Sequence, residues 1–225
     1  MTFKRLDSYK GLLSAEKIAF GMNAAGRSAK RMHDDAKLLL ANGRFPSAAS
    51  LAILAIEEAG KISILRGMST APDDAALKAA WKDYRSHTAK NVAWIITELA
   101  AKGAWSLCDL RPIYDSDSDH PALLDAIKQI GFYTDCLGKA HWSEPPEVID
   151  ERLASMLVTV AGILVPKREI GIREIELWIQ HVGPHAKSPG MAHAAVRFYE
   201  AMRNEGLDTN DPDEIRKFFG LKFAG

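Results

Sequence analysis

The stretch Ala48-Ala49-Ser50-Leu51-Ala52-Ile53-Leu54-Ala55-Ile56-Glu57-Glu58-Ala59-Gly60-Lys61-Ile62-Ser63-Ile64-Leu65 decides the fold class. Leu51, Leu54, Ala55, Ile62 and Leu65 recur at helical spacing, so the segment reads as a helix with an apolar stripe. Apart from the two glutamates, its polar side chains are Ser50, Lys61 and Ser63. Glu58 falls within the stripe. A carboxylate drawn toward a core has to be paired, hydrogen-bonded or protonated, because burying it alone is costly. Ala48, Ala52, Ala55 and Ala59 would let a neighbouring helix approach closely.

Outward from this segment, nearly every stretch also reads as helix, and alternating β-branched patterns bounded by turn residues are hard to find. A first long helix is expected over about 11–41, stopped by Asn42-Gly43. The helix containing the quoted stretch should start near Pro46 and run to about 66. A third follows over about 75–102, a fourth over about 121–137, and a fifth, which Pro166 is expected to interrupt near its end, beyond the 138–146 loop. Smaller helices are expected over about 189–204 and 212–219. The architecture is therefore all-α, an antiparallel helical bundle over 1–168 with a small helical C-terminal appendage over 169–225.

Composition narrows the function classes. Of 225 residues, 47% are hydrophobic and 26% charged, ordinary for a globular protein with a substantial core. Lys plus Arg equals Asp plus Glu at 29 each, so no global basic field attracts nucleic acid. No apolar run reaches the roughly 18–20 residues that span a bilayer. The first residues lack a signal-peptide core, and Cys108 and Cys136 form neither a disulfide framework nor a metal-ligand spacing. These features point to a cytoplasmic protein without membrane partners. The Asp115-Asp117-Asp119 alternation lacks the Gly and terminal Glu of a calcium loop, and Glu-x-x-His pairs of di-iron bundles are absent. No metal or other cofactor is expected.

Chemistry concentrates in two helices. On the third, helical spacing puts Asp83, His87, Lys90 and Asn91 on one face. Asp83 would fix the tautomer of His87, with Lys90 and Asn91 supplying charge and a donor. On the second, Glu57 and Lys61 stand four apart, the spacing of an ordinary intrahelical pair, and Glu58 is a candidate to pair with Arg85. If the two helices form a hairpin, His87, Lys90, Glu57, Glu58 and Lys61 make a catalytic set. They would serve general acid–base work at a phosphodiester, with Asp83, Arg85 and Asn91 binding.

Three elements in order carry a resemblance. They are Gly43-Arg44-Phe45-Pro46-Ser47-Ala48 with Ala55-Ile56-Glu57-Glu58-Ala59-Gly60-Lys61, then Arg85-Ser86-His87-Thr88-Ala89-Lys90, and finally Phe132-Tyr133-Thr134-Asp135 with Trp142-Ser143-Glu144-Pro145. Together they resemble AbiV-type abortive-infection proteins of the HEPN helical superfamily, over roughly 15–165. The resemblance implies a HEPN bundle, often a homodimer, in an antiphage system. Many HEPN proteins are metal-independent RNases using Arg-x4–6-His. Arg85-x-His87 is too short for that motif, and Arg27 and His33, with five residues between them, lie in the first helix and read as coincidence. The expected function is an abortive-infection effector acting on RNA or a ribosome-associated target. The alternative is a non-enzymatic module binding a phage or host protein. The neutral charge favours the second and the clustered titratable groups favour the first.

Overall fold

The computed structural model describes residues 8–86, 120–137, 141–186 and 188–221. Helix α1 spans Ala15–Ala41, opened by Ser14, whose side chain accepts from the Lys17 amide. The helix starts four residues later than the sequence suggested, because Ser14 is the cap. It stops where Gly43 takes φ 69°, the left-handed conformation that a glycine adopts without a Cβ penalty. Helix α2, Phe45–Met68, then returns antiparallel, with Pro46 in its first turn and Leu65 against Gly21 of α1.

Helix α2 is the axis of the bundle. Ala48, Ala49, Ala52, Ile53, Ala55 and Ile56 are fully buried, against α1 on one side and three further helices on the others. Those helices are α3 (Asp74–Arg85), α4 (His120–Phe132) and α6 (Glu151–Leu164). A helix covered on so many sides reads as apolar almost all round. Its alanines keep the neighbours close, and Leu124 of α4 with Leu157 and Ala161 of α6 complete the core.

Two expectations of helix are corrected. Helix α4 ends at Phe132, and Asp135–Leu137 (β1) pairs antiparallel with His141–Ser143 (β2), a short hairpin where continuous helix and then loop were expected. Helix α3 ends at Arg85, with Ser86 in extended backbone at ψ 132°, well short of position 102. The acidic stretch 109–119 lies outside the described residues. After the hairpin, a short α5 (Pro145–Val148) precedes α6, which Asp150 caps by accepting from the Leu153 amide. Helix α6 ends before Pro166 rather than being interrupted by it, since proline holds Val165 extended.

The C-terminal segment forms α7 (Ile172–His181), a 3-10 turn at Gly183–His185, α8 (Met191–Asn204) and α9 (Pro212–Phe218). Phe198 and Leu177 make a small core between α7 and α8, while Ile170 and Ile175 join Ile18, Met22 and Leu65 of the bundle. Asn23 fastens the junction: its side chain donates to the Ile170 carbonyl at 2.9 Å and accepts from the Ile170 amide at 2.8 Å.

Gly131 marks where α4 presses on α2. A Cβ there would collide with the Ser50 hydroxyl and lie 3.0 Å from Ile149 and 3.1 Å from the Pro46 carbonyl. Gly131→Ala is expected to lower stability by about 1–3 kcal/mol through overpacking. Urea denaturation checks it, and an unchanged midpoint would show that α4 is not held this tightly.

Candidate functional site

The two adjacent glutamates of α2 have different fates, and the more buried one is not the one the stripe suggested. Glu57 is 2% exposed, whereas Glu58 is only half-buried. Leu51, Leu54 and Ile62 are likewise half-buried, whereas Ala55 and Leu65 of the same stripe are buried, so the stripe singled out by spacing is only in part the covered face of α2. On a helix that is apolar nearly all round, periodicity does not say which face the protein covers most.

The Glu57 carboxylate reaches α4. Its Oε1 accepts from Lys128 Nζ at 2.6 Å, and the same ammonium lies 2.7 Å from Asp125 Oδ1, one turn earlier on α4. Lys128 is itself 5% exposed. Burial pulls the ammonium's pKa down, but its contacts with Asp125 and Glu57 outweigh that and leave the value raised above the ordinary lysine range. Ser50 adds a hydrogen bond to the Lys128 carbonyl at 3.3 Å. The sequence reading missed Asp125 and Lys128. At i,i+3 on an amphipathic helix they look like an ordinary surface pair, and their partner lies 71 residues away.

Lys61 pairs with Glu58 rather than Glu57, and its ammonium sits 5.3 Å from the centre of the Tyr84 ring on α3. Arg85 does not reach Glu58. It stacks 5.0 Å from Trp81 and donates to the carbonyls of Trp81 and Tyr9, tying the chain before α1 to α3. Asp83 is exposed at the rim of a cavity of about 700 Å³ between α2, α3 and α7. That cavity is walled mostly by small apolar side chains such as Ala59, Ala76 and Ala80. His87, Lys90 and Asn91 lie outside the described residues. The helical register that was to align Asp83 with them is broken at Ser86. Of the expected catalytic and binding set, the structure therefore brings together Glu58 with Lys61, and seals Glu57 into a pair the sequence did not foresee.

Chemically, the Glu57–Lys128–Asp125 group is a buried ion cluster that holds α2 to α4. Removing one partner leaves a charge in the core, at a cost of about 3–5 kcal/mol. Lys128→Met should destabilise the protein by that order. Because the ammonium's value is raised by folding, its contribution is full below the ordinary lysine pKa and is lost as pH rises through the folded value. The stability gap between parent and Lys128→Met, measured by thermal unfolding across alkaline pH, should narrow accordingly. A gap that stays constant would show that the charge does not contribute.

Comparison with known proteins adds one finding. The family model for AbiV, within HEPN, matches residues 17–166. The match runs from α1 to the turn after α6 and takes in Glu57, Glu58, Lys61 and Lys128. No curated protein and no solved structure matches the chain. With the helical bundle and two thirds of its length accounted for, the chain belongs to the AbiV family of HEPN proteins.

Proposed function

We propose that this chain is an abortive-infection effector that works by docking onto a phage or host protein, as a non-enzymatic helical module. Family membership supports the abortive-infection role. The observation that carries the docking reading is the fate of the charges set aside for chemistry. A general acid or base has to reach its substrate. Glu57 is sealed against Lys128, Lys61 lies between Glu58 and Tyr84, and Arg85 is bound to Trp81 and Tyr9. Each of these groups joins one segment of the bundle to another or is spent on a neighbour in its own helix.

A second reading, a metal-independent RNase or another effector on RNA or the translation apparatus, has one observation in its favour. Arg27, Lys30, Lys167 and Arg168 gather around a surface depression of about 250 Å³ beside α1, a cluster of cations that the neutral net charge conceals, although Glu169 also lines it and Arg27, Lys30 and Arg168 each pair with a carboxylate. Arg27 and His33 do not add a catalytic pair to it. On the continuous α1, six residues at about 100° each leave the two side chains roughly 120° apart. His33 instead packs against Gly162 of α6.

The docking reading expects total cellular RNA to stay intact when incubated with purified protein and chelator. It also expects a His87→Ala/Lys90→Ala variant to keep protecting cells against phage. Cleavage by the parent that this variant loses would overturn the reading and establish the RNase instead.

A further inference from the structure

The β1–β2 hairpin turns Ser143 inward and leaves the face that carries Trp142 bare. Ser143 is 5% exposed, and its hydroxyl bonds both the amide and the carbonyl of Asp135. Side chains alternate along a strand, so Cys136 and Trp142, paired across the hairpin, take the opposite face. There Trp142 is 65% exposed. Tyr133 and Phe132, just before the hairpin, are 63% and 42% exposed with their rings 6.2 Å apart, and Val148, just after it, is 50% exposed. One large apolar side chain in water is unremarkable; several on one short stretch mark a surface that something covers.

Charge says what kind of partner fits. From Phe132 to Glu151 the chain carries five carboxylates against one lysine and no arginine. Glu144 and Glu147 are exposed, and among the described residues neither joins an ion pair. Other exposed carboxylates do hold cations, as Asp34 does Lys30, Glu205 does Arg173 and Glu214 does Lys217, while Glu16, Asp74 and Asp83 are unpaired among the described residues as well. A nucleic acid is disfavoured here, since these carboxylates repel phosphate. A second copy docking through the same patch would set the acids against themselves, because a two-fold interface is self-complementary.

We propose that this aromatic, acid-flanked hairpin is the docking surface for a basic, apolar-rich polypeptide segment of a partner protein. The partner's lysines and arginines meet the carboxylates and the faces of Trp142 and Tyr133, and its apolar side chains cover the rings. The proposal rests on the docking reading above and places it at one end of the bundle, within the family-matched span.

The test uses the full chain and a fluorescein-labelled synthetic peptide of repeating Lys-Leu-Arg-Phe units, with a counterpart carrying Glu in place of Lys and Arg. The basic peptide should bind and the acidic one should not. Trp142→Ala/Tyr133→Ala and, separately, Glu144→Lys/Glu147→Lys should each weaken binding by about tenfold or more, as for a hot-spot loss. Glu16→Lys, on exposed α1, should leave it unchanged. No binding, equal binding of the acidic peptide, or patch variants that bind like the parent would overturn the proposal. So would light scattering showing a parent dimer that Trp142→Ala/Tyr133→Ala splits, since the occupant would then be a second copy. Patch variants that bind no peptide yet protect cells fully from phage would place the working surface elsewhere. That outcome leaves the docking reading standing, because the RNA-cleavage assay tests it independently.

Discussion

The ion pair between Glu57 and Lys128 is the constraint around which the bundle is arranged. Helix α2 is covered on most sides, and a carboxylate in such a place is tolerable only if a cation arrives from a neighbouring helix. Lys128 meets that need from α4, so the two helices are held in one register as well as packed. The close approach of Gly131 to Ser50 and the Ser50 hydrogen bond to the Lys128 carbonyl belong to the same junction. An apolar pair of similar volume would hold the helices together at least as strongly. What the charges add is a penalty for any slip of α4 along α2 that would part them.

The same logic recurs where the C-terminal helices dock. Glu174 is 4% exposed, and its two oxygens accept from Arg66 of α2 at 2.7 Å and from Arg168 at 2.8 Å. The Arg168 value is raised first by its hydrogen bond to Glu174, with burial opposing. Arg66 also lies over the Trp178 ring at 5.2 Å. Buried charge in this protein, at the middle of α2 and at its C-terminal end, fastens one helix to another. Under the docking reading proposed above, function falls to surfaces such as the β-hairpin, where Trp142 and Tyr133 are exposed and Glu144 and Glu147 join no ion pair among the described residues.

The helical class, the break between α1 and α2 and the AbiV family were legible in the chain. Asn42-Gly43 is a stop that few conformations satisfy, Pro46 belongs in a first turn, and the apolar run of α2 can only be interior. Local chemistry also placed α8 and α9 to within two residues of their bounds. The candidate site was legible only in part. Glu57, Glu58 and Lys61 stood out because charge is scarce in their segment. Which glutamate is buried did not, and neither did the hairpin, whose three-residue strands are too short to show an alternating pattern.

By itself the sequence determined the helical class, the bounds of α2, α8 and α9 to within two residues and that α2 has to be enclosed, because caps, turns and apolar periodicity act over a few residues. Only the tertiary structure decided which cation answers Glu57, which face of α2 is covered most and which aromatic rings are left in water. Those outcomes depend on groups such as Glu57 and Lys128, 71 residues apart, whose encounter no local pattern encodes.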